Sequence, residues 1–70
     1  MKPHQRHQEG TYPYYKLATW DTVSLTWRDG KTAFPTAEET LSEANRKPGR
    51  YRISAVLDTG RDDLSPFTVT

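Results

Sequence analysis

Cysteine is absent from this chain of 70 residues. Disulfides and thiolate-bound zinc, the usual reinforcements of so small a domain, are thereby excluded, and the fold must rest on packing or on a partner. No apolar run approaches the roughly 18 residues that a bilayer-spanning helix needs, and residues 1–10 (MKPHQRHQEG) lack the apolar centre of a signal peptide. The expectation is a cytoplasmic protein with no membrane association. Large apolar residues are also scarce: Leu, Ile, Val and Phe together stay below the share of about 20% under which disorder is common. Disorder calls for high net charge as well, and here the formal charge is only +1.

What the chain does have is aromatic mass: two Trp, four Tyr and two Phe. Each such residue removes roughly 150–250 Å² from water when buried, so a few can replace missing aliphatic core. A chain of this length holds one thin core and no second domain, and it buries only about 60% of the surface of its unfolded form. A deep catalytic cavity does not fit that size.

Residues 1–10 carry no aliphatic or aromatic side chain after the initiator and are expected to form a disordered tail, leaving 11–70 as the single folded domain. His4 and His7 stand three apart, but no third or fourth ligand lies near them, so they are read as solvated residues and not as a metal site. From Tyr15 the odd positions Tyr15, Leu17, Thr19, Asp21, Val23, Leu25 and Trp27 alternate with period two. Trp20 and Asp21 break the pattern, giving either two strands, 14–20 and 22–28, or one strand bent by a bulge near Asp21, the preferred alternative. Asp29-Gly30 then reads as a type I′ hairpin turn, which pairs Trp27 with Thr32 and Leu25 with Phe34 and sends Val23, Leu25, Trp27 and Phe34 to the core face.

Thr36 to Glu39 has the form of a capping box and starts a helix with a narrow stripe of Ala37, Leu41 and Ala44, a Glu43–Lys47 pair and an end at Pro48-Gly49. Residues 50–57 alternate again, with Tyr51, Ile53, Ala55 and Leu57 on one face and Arg50, Arg52, Ser54 and Val56 on the other. Asp58 to Arg61 reads as a turn, and Phe67 and Val69 as a last short edge strand. The predicted fold is therefore α+β: a small twisted antiparallel sheet of three to four strands, in the order β-β-α-β with a short final strand, and one helix on one face. The predicted core is Leu17, Val23, Leu25, Trp27, Phe34, Leu41, Ala44, Ile53, Ala55 and Leu57.

There is no phosphate-binding glycine loop, no nucleophile elbow, no HExxH and no thiol, and the Asp58, Asp62 and Asp63 cluster has the composition of a turn. No catalytic residue, metal or cofactor is expected. Arg46, Lys47, Arg50 and Arg52 gather around Tyr51, a charge asymmetry that suits either a helix C-terminus and a solvated sheet face or a phosphate-binding patch. A base-stacking aromatic would have to share that face, with Tyr12, Tyr14 or Trp20 as candidates. The aromatics exceed what a one-layer core needs, and Tyr, Trp and Arg dominate protein interfaces. The expected function is a non-enzymatic binding or regulatory module acting through a protein partner or self-association. The alternative is a small nucleic-acid-binding domain, with Arg28, Arg46, Lys47, Arg50, Arg52, Tyr14 and Trp20 as the contact residues under either reading.

Overall fold

The computed structural model describes residues 11–70, so the expected tail, with His4 and His7, lies outside the described residues. In chain order the elements are β1 (Tyr14–Asp21), β2 (Thr26–Asp29), α1 (Ala37–Ala44), β3 (Gly49–Leu57), β4 (Gly60–Asp63) and β5 (Phe67–Val69). The α+β expectation holds, with β4 beginning at Gly60 where a turn was expected to run through Arg61: one antiparallel sheet runs β2-β1-β3-β4, β5 pairs the start of β3, and the helix packs against β1 and β3.

β3 is the centre of the sheet, the longest strand and the one that pairs with β1, β4 and β5. Pairing sets Tyr15, Leu17 and Thr19 opposite Ala55, Ile53 and Tyr51 on the face that carries the helix. Lys16 and Ala18 oppose Ser54 and Arg52 on the other face. Tyr51 and Ile53 are buried, and the Tyr51 hydroxyl donates to the Lys47 carbonyl at 2.7 Å, tying the end of the helical segment to the sheet.

The reversal between the first two strands is not at Asp29-Gly30, nor is there one bent strand. It occupies residues 22–25, where the Asp21 carboxylate accepts the Val23 N–H at 2.8 Å and the Asp21 carbonyl accepts that of Leu25 at 2.8 Å. An aspartate that bonds the backbone two residues on makes its own turn without glycine. Trp20 therefore faces Trp27, and Asp21 faces Thr26. Gly30 serves close approach: its N–H donates to the Leu17 carbonyl at 2.9 Å, and a Cβ there would stand 3.3 Å from the same oxygen. Residues 31–33 then leave the ladder, and Phe34 rejoins β1 through a bridge to Tyr15.

The predicted core changes accordingly. Val23 and Leu25 sit at the loop tip, 91% and 67% exposed, while Leu41 and Leu57 are also exposed. Among the described residues Ala18, Ala33, Ala44, Tyr51 and Ile53 are the buried hydrophobic ones. On the helix the inward stripe is turned by one residue: Thr40 and Ala44 are fully buried and Leu41 is not. Thr40 tolerates this because its hydroxyl donates to the Thr36 carbonyl at 2.8 Å. Small residues at the contact let the helix lie close to the sheet. Half of the capping box forms, with the Glu39 N–H donating to the Thr36 hydroxyl at 3.2 Å. Glu43 pairs with Arg46 at 3.3 Å and not with Lys47, since the helix ends at Ala44, earlier than expected.

Candidate functional site

β2 and β4 lie at opposite ends of the strand order, and Asp29 and Arg61 are further offset along the strands by their partners Ala18, Arg52 and Val56. In a flat sheet their Cα atoms would stand about 19 Å apart. Yet the Arg61 guanidinium grips Asp29 with two parallel bonds, Nη1 and Nη2 each 2.9 Å from a carboxylate oxygen. The sheet must therefore curl toward the face away from the helix, until its two ends meet across that face. Inside the curl Arg61 also reaches Asp63 at 3.0 Å and Ser54 at 3.1 Å, while Ser54 donates to Asp63 at 2.6 Å. Ser54 and Ala18 are fully buried beneath this clasp.

Arg52 belongs to the same interior. Its guanidinium lies 5.0 Å from the Trp27 ring centre and 3.7 Å from Asp63, and its Nε is buried without a hydrogen-bond partner. The face opposite Tyr51 is thus not a solvated one, as strand alternation alone suggests, and Arg52 is an interior cation held by a π face and a carboxylate. Trp20 packs edge-on against Trp27 at 5.2 Å, and Tyr14 stacks on Tyr12 at 5.7 Å.

Among the described residues three carboxyls are held below their usual range: Asp21 at about 2 by the Val23 N–H and then Arg28, Asp29 by its bonds to Arg61, and Asp63 by the Ser54 hydroxyl and then Arg61. Groups with depressed folded pKa values stabilise the fold above their unfolded value near 3.8, and that contribution is lost as pH falls through the folded value. The denaturation midpoint is expected to hold from neutral pH to about 4 and to decline between about 4 and 2. An unchanged midpoint at pH 2 would contradict these ionic contacts.

The contact residues predicted from sequence are split among three places. Tyr14, Trp20, Arg50 and Arg52 share the concave face, with Arg50 at its edge against Thr68 at 3.4 Å. Arg28 is on the helix side of β2, bonded to Asp21 at 2.7 Å. Arg46 and Lys47 follow the helix and line a groove between it and β1. The acidic cluster is divided as well: Asp63 faces Ser54 inside the curl, Asp62 faces Ala55 on the other side, and Asp58 sits in the β3–β4 turn. Among the described residues no His, Asp and Glu set is gathered that could hold a metal ion.

Comparison with protein-family models, with curated proteins and with solved structures finds no match. The chain's own surfaces therefore carry the functional signal.

Two of these escaped the sequence pattern. One is the loop tip: Val23 and Leu25 look like alternating core residues, and the signal against that was Asp21 with its Asx-turn chemistry. The other is the groove, two adjoining hollows of about 470 and 170 Å³ that share Leu17, Thr19 and Glu43. Tyr51, Arg46 and Lys47 complete the first hollow, and Lys31 and Phe34 line the second. Its lysines are far apart in sequence and border one groove only because α1 packs against β1.

Proposed function

We propose that the chain is a non-enzymatic module that binds a protein partner through the tip of the β1–β2 hairpin. The observation that carries this is Leu25, whose backbone is left-handed at φ 59° while the residue is 67% exposed. A bulky L-residue in that region costs roughly 1–2 kcal/mol, and glycine or asparagine would hold the turn without the penalty. Folding gives no reason for leucine there, whereas an apolar anchor for a partner does. Val23 stands beside it at 91% exposure, and the Asp21 carboxylate fixes the loop, so little order has to be gained on binding. Arginine usage also supports a protein over a nucleic acid: Arg28, Arg46, Arg52 and Arg61 each pair with a carboxylate of the same chain.

Leu25→Gly separates folding from binding. Relief of the left-handed strain offsets the backbone entropy of glycine, so stability is expected to be unchanged or higher by up to about 1 kcal/mol. Proteins captured by the wild-type chain in cross-linking and mass spectrometry should be lost by the variant. A variant that unfolds, or one that keeps every captured protein, would overturn the proposal.

A further inference from the structure

The groove on the helix side has a definite charge pattern. Its floor is Leu17 and Tyr51, one wall carries Glu43 of the helix paired at 3.3 Å with Arg46 just beyond the helix end, and Lys47 and Lys31 stand at its two ends. Neither lysine has an ion-pair partner among the described residues, in contrast to the carboxylate-bound arginines. With Glu43 and Arg46 cancelling, two ammonium groups remain over an apolar floor. A volume of about 470 Å³ in the larger hollow lies within the range of ligand sites.

We propose that this groove holds an acidic segment of a partner polypeptide, its carboxylates at Lys31 and Lys47 and one aliphatic side chain against Leu17. Lysine suits this occupant, being a hydrated point charge that meets carboxylates at a wet rim without a fixed fork geometry. Nucleic acid fits less well: Tyr51 is 6% exposed and gives no open ring face for a base. The groove also leads to the loop tip. Thr19 lines it, and Asp21, two residues further along the same face of β1, anchors the tip roughly 7 Å away. One extended segment lying along β1 would therefore reach both. The inference deepens the protein-binding proposal and rests on it only in taking the occupant to be a polypeptide.

The test is an amide NMR titration of the full chain with three probes. They are a blocked pentapeptide of leucine flanked on each side by two glutamates, its counterpart with lysines for glutamates, and a ten-nucleotide oligothymidylate. The acidic peptide should give saturable shifts centred on Leu17, Thr19, Lys31, Lys47 and Tyr51, weakening with added salt. The double variant Lys31→Glu, Lys47→Glu, whose changes are both on exposed side chains, should keep a dispersed spectrum and bind at least tenfold more weakly. Absence of shifts in the groove, equal shifts with the basic peptide, or stronger shifts with the oligonucleotide would each overturn the assignment. Because Leu25→Gly leaves the groove intact, it should bind the acidic peptide as the wild type does. Groove failure with partner loss in Leu25→Gly would sink this inference and leave the hairpin-tip proposal standing.

Discussion

Tyr51→Ala is expected to remove a large share of the domain's stability. The ring is 6% exposed and lies 6.0 Å from that of Phe67, which it faces across the β3–β5 pairing. It opposes Thr19 in β1, and its hydroxyl donates to the Lys47 carbonyl at 2.7 Å. Gly49 packs against the ring as well, for a Cβ added there would come within 3.4 Å of it. One side chain therefore joins β1, β3, β5 and the end of the helical segment. Truncating a buried aromatic to alanine costs about 3–5 kcal/mol. A domain of this size has a total stability of about 4–10 kcal/mol, so the loss takes from roughly a third of it to all of it. Tyr51→Phe keeps the ring and removes only the hydroxyl, so it should fold and lose about 1 kcal/mol. Urea denaturation followed by near-ultraviolet circular dichroism reads both. An alanine variant within about 1 kcal/mol of wild type would show that the core does not depend on this ring.

The same residue shows what was legible in the sequence. Alternation from Arg50 to Leu57 located β3 and sent Tyr51 and Ile53 to one face, and Thr36 marked the helix start, because these signals are local. The ranking of core residues by apolarity went astray, since it favoured Leu41 and Leu57 over Thr40 and Tyr51. A helix lying close on a thin sheet has room for a hydroxyl that bonds its own backbone and none for a leucine. The hairpin was misplaced because Asp29-Gly30 has the stronger turn propensity, whereas the actual turn depends on the Asp21 carboxylate and a strained Leu25. Moving the turn released Val23 and Leu25 from the core and exposed the tip on which the functional proposal stands.

The candidate surfaces were less legible than the strands, for a physical reason. The basic residues gathered around Tyr51 in sequence are divided in space by strand alternation and by the chain's exit from the helix. Arg52 goes to Trp27, Arg46 to Glu43, and Lys47 to the groove. Lys31 joins Lys47 only through tertiary structure. Curvature is invisible to period-two patterning too, so nothing in the alternation marked Arg61 as a residue reaching back to Asp29.

Arg61→Ala is expected to lower stability by about 1–2 kcal/mol, more than a surface arginine of its exposure usually does. Single exposed ion pairs contribute about 0.2–1 kcal/mol, but here a forked pair with Asp29 is joined to Asp63 and Ser54 in one network. The clasp also acts at a distance, because it holds together two strands that a flat sheet would keep apart. Without it the β2 end should open from β4, and amide exchange should quicken in β2 while β3 stays protected. Arg61→Lys keeps the charge but not the fork, and should recover less than half of the loss. A double-mutant cycle of Arg61→Ala with Asp29→Ala isolates the pair, with an expected coupling of about 1 kcal/mol that shrinks in high salt. The pH dependence gives a second, independent check. Asp29 owes its lowered pKa first to Arg61, whereas Asp63 owes its own first to Ser54. In Arg61→Ala the Asp29 share of the stability lost on acidification below about 4 should disappear, and most of the Asp63 and Asp21 share should remain. A coupling near zero, together with an acid profile parallel to the wild type, would mean that the curl is set by strand twist alone and that the arginine merely lies across it.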